Sequence, residues 1–180
     1  FCQNMPISRD GYGKEISPIR LGEIMLELQE KGAHNIDLVT PTHYADVIAG
    51  VLEKIRPQLE IPVVYNCGGY EKVETLKMLD GLIDIYLPDF KYASPDLAGE
   101  YSSAPDYPDT AAKAVAEMYR QTGNVRFDED GLMKKGVLVR HLVLPGCRHD
   151  SMKVLDILKA TVPVGDIRIS LIFWQLKVKL

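Results

Sequence analysis

The sequence predicts an α/β protein whose strands form a parallel sheet. Segments with apolar residues on one helical face alternate with short runs of β-branched residues, and no internal repeat interrupts this alternation. Tight hairpin signals are missing, and each connection between strands is long enough for a helix, which favours right-handed crossovers between parallel strands. An open doubly wound sheet and a barrel both satisfy this pattern, and both bind ligands at the carboxyl ends of their strands.

The first predicted helix and strand are bounded by clear terminal signals. Ser17 is an N-cap residue, Pro18 suits the first helical turn, and Gly32 ends the helix. A strand follows at 35–40, NIDLVT. Thr40-Pro41 repeats the cap-plus-proline pattern, so a second helix is predicted to begin there.

The later elements follow the same alternation. Strands are predicted at 62–69, 83–92, 137–146 and 166–172, and helices at 71–80 and 109–122. The segment 93–136 is the least regular, with several prolines and a polar DEDG sequence at 128–131. These elements form a single domain over residues 1–180, and chain before Phe1 could supply one further strand.

The net charge and the cysteine content of the chain indicate its expected partners and compartment. The net charge is −4 and no run of basic residues is present, so neither nucleic acid nor an anionic membrane is the expected partner. The apolar stretches are of strand length, short of the roughly 20 residues that span a bilayer. Three cysteines without a repeated spacing, Cys2, Cys67 and Cys147, indicate a reducing compartment, which we take to be the cytoplasm.

Charged residues stand at the end of one predicted strand and inside another. Asp89 and Lys91 lie two residues apart and therefore on one face of their strand, where they form either a structural ion pair or a ligand-binding pair. Arg140 lies in an otherwise apolar strand and must find an anion there, which can be an internal carboxylate. Its neighbour His141 is predicted to be a packed, hydrogen-bonded core histidine.

Other strand-end residues permit two interpretations each. Gly68-Gly69 either brings backbone amides close to a ligand or only reverses the chain. The Thr40-Pro41-Thr42 sequence is adequately explained by helix capping. Cys147 and His149 can bind metals, but without a second cluster they do not indicate a zinc site.

Taken together, the strand-end segments resemble the radical S-adenosylmethionine (radical SAM) proteins, in the branch similar to pyruvate formate-lyase activating enzymes. The similar segments are FCQN, GYGKEIS, HNIDLVTPTHY, YNCGGYE, LPDFKYA and VRHLVLPG. That family carries Cys-x-x-x-Cys-x-aromatic-Cys after its first strand, and Phe1-Cys2 resembles the end of this motif. The fold that the resemblance implies is a partial TIM-like (β/α)6 barrel of the radical SAM type, incomplete at the N-terminus.

The resemblance implies an oxidoreductase with two cofactors, a [4Fe–4S] cluster and S-adenosylmethionine. Cys2 would be the third thiolate ligand, because three thiolates leave one of the four irons open for S-adenosylmethionine. The reduced cluster passes an electron to the sulfonium, a C–S bond breaks, and the resulting 5′-deoxyadenosyl radical takes hydrogen from a substrate. The substrate that this branch implies is a glycine of a glycyl-radical enzyme, but no separate feature of the sequence selects a protein glycine over a small metabolite. The implied electron donor is a flavodoxin or ferredoxin.

The same resemblance assigns cofactor-binding positions along the chain. TPT would present backbone to the methionine amino group, and the Asp-x-Lys pair would hold the ribose and carboxylate region. The implied cofactor-binding residues are Asn4, Thr40, Pro41, Thr42, Asn66, Gly68, Gly69, Asp89, Lys91 and Arg140.

Two departures from the family pattern lead to alternatives. The first two motif cysteines would precede Phe1, and neither Cys67 nor Cys147 has the spacing to replace them, so the chain is expected to be an inactive fragment of an active parent. The ending IFWQLKVKL also differs from related sequences. The alternatives are a barrel remnant that binds no cluster, and an unrelated parallel-barrel lyase or hydrolase that uses Asp89, Lys91 and His141.

Overall fold

Residues 13–173, which a computed structural model of the chain describes, form one mixed six-stranded sheet and the helices packed on it. The helices are α1 (Pro18–Glu30), α2 (Ala45–Ile55), α3 (Val73–Met78), α4 (Pro95–Ser102), α5 (Tyr107–Thr122) and α6 (Arg148–Thr161). The strands are β1 (Ile36–Val39), β2 (Val63–Cys67), β3 (Ile85–Pro88), β4 (Arg126–Phe127), β5 (Met133–Val143) and β6 (Arg168–Phe173).

The parallel strands pair in the order in which they occur along the chain. β1 pairs with β2, β2 with β3, β3 with β5, and β5 with β6. The predicted α/β class is therefore confirmed. Within residues 13–173 the sheet is not closed, and the antiparallel β4 departs from the strand order of a TIM barrel.

The prediction of an entirely parallel sheet is wrong at β4, which pairs antiparallel with β5. The DEDG sequence builds the connecting turn. The Asp128 carboxylate accepts hydrogen bonds from the Asp130 and Leu132 amides at 3.1 and 2.8 Å, and Gly131 adopts a φ of 79°. Since an Asx turn of this kind reverses the chain, the polar segment forms a hairpin and not only a loop.

The irregular segment 93–136 contains a second helix, α4, in addition to the helix predicted at 109–122. Ser94 caps α4 by accepting a hydrogen bond from the Leu97 amide, and Pro95 occupies the first turn. The Asp150 carboxylate accepts hydrogen bonds from the Ala93 and Ser94 amides, which ties the start of α4 to the first turn of α6.

Of the two predicted helix caps, one is confirmed and one is wrong. The Ser17 side chain accepts a hydrogen bond from the Arg20 amide, as an N-cap residue does. Thr40 instead adopts a left-handed φ of 55° and makes no capping bond. Its amide donates to the Asn66 carbonyl at 2.8 Å, which continues the β1–β2 ladder, and a 3-10 turn at Pro41–Tyr44 separates it from α2.

The hydrophobic core lies between the sheet and one layer of helices. Helix α1 packs on α2, α2 on α3, α3 on α5 and α5 on α6, so the layer follows chain order. On β2, Val63, Tyr65 and Cys67 face this core. Because side chains alternate between the two faces of a strand, Val64 and Asn66 face away from the helices. This opposite face carries the candidate site.

Candidate functional site

A row of polar side chains crosses the sheet near the carboxyl ends of its parallel strands. Arg140 Nε donates to Asp89 Oδ1 at 2.9 Å, and Arg140 Nη2 donates to Asn66 Oδ1 at 2.8 Å. Asn66 Nδ2 donates to Asp37 Oδ2 at 3.3 Å, and Lys91 Nζ lies 3.8 Å from Asp89 Oδ2. We call these residues, Asp37, Asn66, Asp89, Lys91 and Arg140, the polar row.

Strand register is what brings the polar row together. Asp89 forms a parallel bridge with Arg140, and the Phe90 amide donates to the Arg140 carbonyl at 2.8 Å. The Asp89 amide donates to the Cys67 carbonyl at 2.9 Å, which aligns the end of β3 with the end of β2. The resulting pairing confirms that Asp89 and Lys91 share one face and that Arg140 binds an internal carboxylate.

The polar row contains two acidic and two basic side chains, but the two basic side chains are held to different degrees. The Arg140 guanidinium donates hydrogen bonds to Asp89 and Asn66, and 30% of its side chain is exposed. The Lys91 ammonium lies near the outer limit of an ion pair with Asp89, and 37% of its side chain is exposed. Lys91 is therefore the cation of the row that can turn toward a bound anion.

The Gly68-Gly69 turn lies directly against the end of β3. Gly69 has a φ of 79°, and a Cβ placed there would lie 1.9 Å from the Asp89 carbonyl oxygen. A Cβ on Gly68 would meet only the Lys91 ammonium nitrogen, at 3.8 Å. Only glycine fits at position 69, because both the backbone conformation and the contact exclude a side chain.

A second, buried cluster connects the loops that follow β1 and β2. Glu71 is 3% exposed, and its Oε1 accepts a hydrogen bond from Thr42 Oγ1 at 2.7 Å. Its Oε2 accepts a longer bond from the Tyr65 hydroxyl at 3.3 Å. Thr42 therefore points to Glu71 and not into the polar row. Burial raises the pKa of the Glu71 carboxyl, and the hydrogen bonds from Thr42 and Tyr65 act in the opposite direction.

Replacing Glu71 with glutamine is expected to change how stability depends on pH. Because the folded-state pKa of Glu71 is raised, its protonated form stabilises the fold fully below the ordinary glutamate pKa of about 4.3. This contribution is lost as the pH rises through the raised folded-state pKa. We therefore expect Glu71→Gln to remove a downward slope of unfolding free energy with pH, measured by urea denaturation across that window.

The exposed Glu30 at the end of α1 provides the matched control. Glu30→Gln removes one carboxyl and the same unit of charge at an exposed position, so the change in slope for Glu71→Gln is compared with the change for Glu30→Gln. If Glu71→Gln and Glu30→Gln give the same pH profile as wild type, the buried carboxyl does not set the slope.

His141 confirms its predicted role and lies apart from the polar row. It is 1% exposed, and its Nδ1 lies 2.6 Å from the Phe90 carbonyl oxygen. As the neighbour of Arg140 on β5 it faces the helix layer, whereas Arg140 faces the opposite side. The structure does not bring His141 together with Asp89 and Lys91.

The predicted cluster ligand lies outside the described residues. Cys2 and Asn4 precede residue 13, where the described part of the chain begins. Within residues 13–173 there is no group of three or more His, Cys, Asp or Glu side chains that could hold a metal ion.

The other two cysteines are free thiols. Cys67 is buried and Cys147 is half-buried. Burial raises the pKa of the Cys67 thiol, which keeps it protonated.

Comparison with known proteins gives one distant relative and no family. The chain matches no family model. It is 28% identical over 154 residues to an uncharacterized protein of Methanocaldococcus jannaschii, an alignment that covers 81% of this chain and 40% of the relative. The chain thus spans about two fifths of the length of that relative. Over residues 13–173, none of the helices has the length and apolar character needed to cross a membrane.

Proposed function

We propose that the chain is the core of a radical SAM oxidoreductase of the activating-enzyme type, in which the polar row holds S-adenosylmethionine. The observation that supports this most is the polar row itself. The family resemblance assigns Asn66, Asp89, Lys91 and Arg140 to the cofactor. Arg140 is hydrogen-bonded to Asn66 and Asp89 at the carboxyl ends of parallel strands, and the Lys91 ammonium lies 3.8 Å from Asp89. Ligands of parallel α/β sheets bind at this edge.

The polar row has groups that complement the carboxylate and the ribose hydroxyls of S-adenosylmethionine. The ligand carries an ammonium, a carboxylate and two ribose hydroxyls. Asp89 offers carboxylate oxygens to the hydroxyls, and Lys91 offers an ammonium to the ligand carboxylate. Arg140 neutralises Asp89 and fixes its orientation through two donors, so Asp89 presents its remaining oxygen to the ligand.

The fold that this proposal requires is a partial barrel. The parallel strands β1, β2, β3, β5 and β6 pair in chain order with a single helix layer, which supports a partial TIM-like barrel. Cys2 would hold the [4Fe–4S] cluster together with two cysteines that the family motif places before Phe1.

The cofactors supply the radical chemistry, and this chain supplies position and charge. When bound, the cluster and S-adenosylmethionine would together supply one-electron chemistry that removes a hydrogen atom from the substrate, with Cys2 holding the cluster and with Asp89 and Lys91 holding S-adenosylmethionine. The electron comes from a flavodoxin or ferredoxin in the cytoplasm. The proposed substrate is a glycine of a glycyl-radical enzyme, which matches the branch that the chain resembles.

The coding sequence before Phe1 is the first test. An in-frame Cys-x-x-x-Cys-x there completes the cluster motif. The complete protein, reconstituted anaerobically with iron, sulfide and a reductant, should then release 5′-deoxyadenosine from S-adenosylmethionine. Cys2→Ser removes the third thiolate and should abolish this release.

Two results would reject the proposal. A reading frame without the two upstream cysteines leaves Cys2 as a lone thiol. A complete, cluster-loaded protein that forms no 5′-deoxyadenosine would mean that Arg140 and Asp89 serve only to stabilise the sheet, as in a barrel remnant without catalysis.

A further inference from the structure

The Tyr107 hydroxyl joins the two strand ends that carry the candidate site. Tyr107 is the first residue of α5 and is 3% exposed. Its oxygen lies 2.9 Å from the Gly68 carbonyl oxygen and 2.9 Å from the Asp89 carbonyl oxygen. The Lys91 amide donates to the same hydroxyl oxygen at 3.1 Å. One buried hydroxyl thus contacts the backbone of the Gly68-Gly69 turn and of both charged residues after β3.

This contact begins where the ladder between β2 and β3 ends. The last ladder hydrogen bond that involves Asp89 runs from its amide to the Cys67 carbonyl. Beyond it, the Tyr107 hydroxyl has one proton for two carbonyl acceptors and accepts from one amide. Burial raises the pKa of this hydroxyl, so it stays protonated and remains a donor. The side chain therefore takes the place of the next interstrand hydrogen bond.

The aromatic ring of Tyr107 is held independently of its hydroxyl. It packs edge-on against Phe90 and Tyr92, with ring centroids 6.3 and 5.6 Å away, and stacks on Tyr70 at 6.0 Å. These contacts fix the ring position, which in turn fixes the hydroxyl. Removing the hydroxyl alone leaves the aromatic packing intact.

We propose that Tyr107 is a positioning residue, whose hydroxyl sets the separation between the Gly68-Gly69 turn and the Asp89–Lys91 segment that together receive the ligand. This inference rests on the proposed function, since the ligand it invokes is S-adenosylmethionine. In this role Tyr107 does not contact the ligand itself. It acts through the backbone of the Gly68-Gly69 turn and of the Asp89–Lys91 segment.

The test compares Tyr107→Phe with Tyr86→Phe in the complete, anaerobically reconstituted protein. Tyr86 is also fully buried, and its hydroxyl donates to Gln121 Oε1 at 2.6 Å on the helix side of the sheet. Tyr107→Phe loses one donated and one accepted hydrogen bond, whereas Tyr86→Phe loses one donated bond, so both variants should lower the thermal midpoint and Tyr107→Phe should lower it further. The dissociation constant for S-adenosylmethionine should rise on the order of tenfold in Tyr107→Phe only.

Amide hydrogen exchange at Lys91 provides a readout that does not depend on the ligand. Its amide loses its acceptor in Tyr107→Phe and should exchange faster there than in wild type or Tyr86→Phe. Unchanged exchange at Lys91 overturns the inference, and so does an unchanged dissociation constant in a protein whose wild type binds S-adenosylmethionine. If wild type binds none, the proposed function fails, and the exchange rate alone decides whether Tyr107 positions these strand ends.

Discussion

Replacing Gly69 with alanine should lower the free energy of unfolding by at least about 3 kcal/mol. Two costs add. A left-handed φ of 79° costs a residue with a Cβ about 1–2 kcal/mol, and the new Cβ would lie 1.9 Å from the Asp89 carbonyl oxygen. Because that atom is backbone, the end of β3 must move to relieve the overlap. Urea denaturation measures the loss in stability.

Gly81 provides the matched control for this prediction. It has the same φ of 79°, but a Cβ there would meet nothing within 4 Å. Gly81→Ala should therefore cost only the conformational part, about 1–2 kcal/mol. The difference in unfolding free energy between Gly69→Ala and Gly81→Ala therefore measures the cost of the overlap with the Asp89 carbonyl oxygen. Equal losses in the two variants would contradict a close packing of the Gly68-Gly69 turn on β3.

Arg140→Met should cost about 2–3 kcal/mol of stability, a range reduced for the partial exposure of the site. The substitution keeps much of the aliphatic side chain. Among residues 13–173 it leaves Asp89 with only the Lys91 ammonium as a counter-charge, 3.8 Å away. It also removes the donor to Asn66 Oδ1. Half-buried acceptors that lose their partners are costly, because water cannot fully replace the lost hydrogen bonds.

A double-mutant cycle identifies the source of the cost. If the loss arises from an unpaired Asp89, adding Asp89→Asn to Arg140→Met should recover part of it. Arg20, whose partners Glu23 and Glu27 lie on the exposed face of α1, is the surface control. A loss for Arg140→Met no larger than that for Arg20→Met would show that the polar row adds nothing to stability.

The parts of the fold set by local sequence were predictable. Ser17-Pro18 fixed the start of α1, and alternation placed Asp89 and Lys91 on one face. The need of Arg140 for an anion followed from its apolar surroundings, although the particular carboxylate depended on the register between β3 and β5. The register between two strands depends on contacts between segments that are distant in the sequence, so it cannot be predicted from the local pattern of either strand.

The features that could not be predicted all depend on long-range contacts. Tyr107 lies in the irregular segment 93–136, two residues before the predicted helix at 109–122, yet it bonds to residues of two strand ends. Glu71 follows the Gly68-Gly69 turn, where an acidic residue is ordinarily exposed, and its burial depends on the packing of Thr42 and Tyr65 around it. The capping prediction for Thr40 is wrong for the same reason, since the sheet and not the helix engages its backbone.

The sequence separation within the polar row determines the order in which it forms during synthesis. Asp89 and Arg140 are 51 residues apart, which corresponds to about 3–10 s of translation at roughly 5–20 residues per second. Lys91 is made almost together with Asp89 and is its first available counter-charge. Arg140 becomes the closer partner of Asp89 only when β5 joins the sheet, so the polar row cannot form before the chain has been synthesised through Arg140.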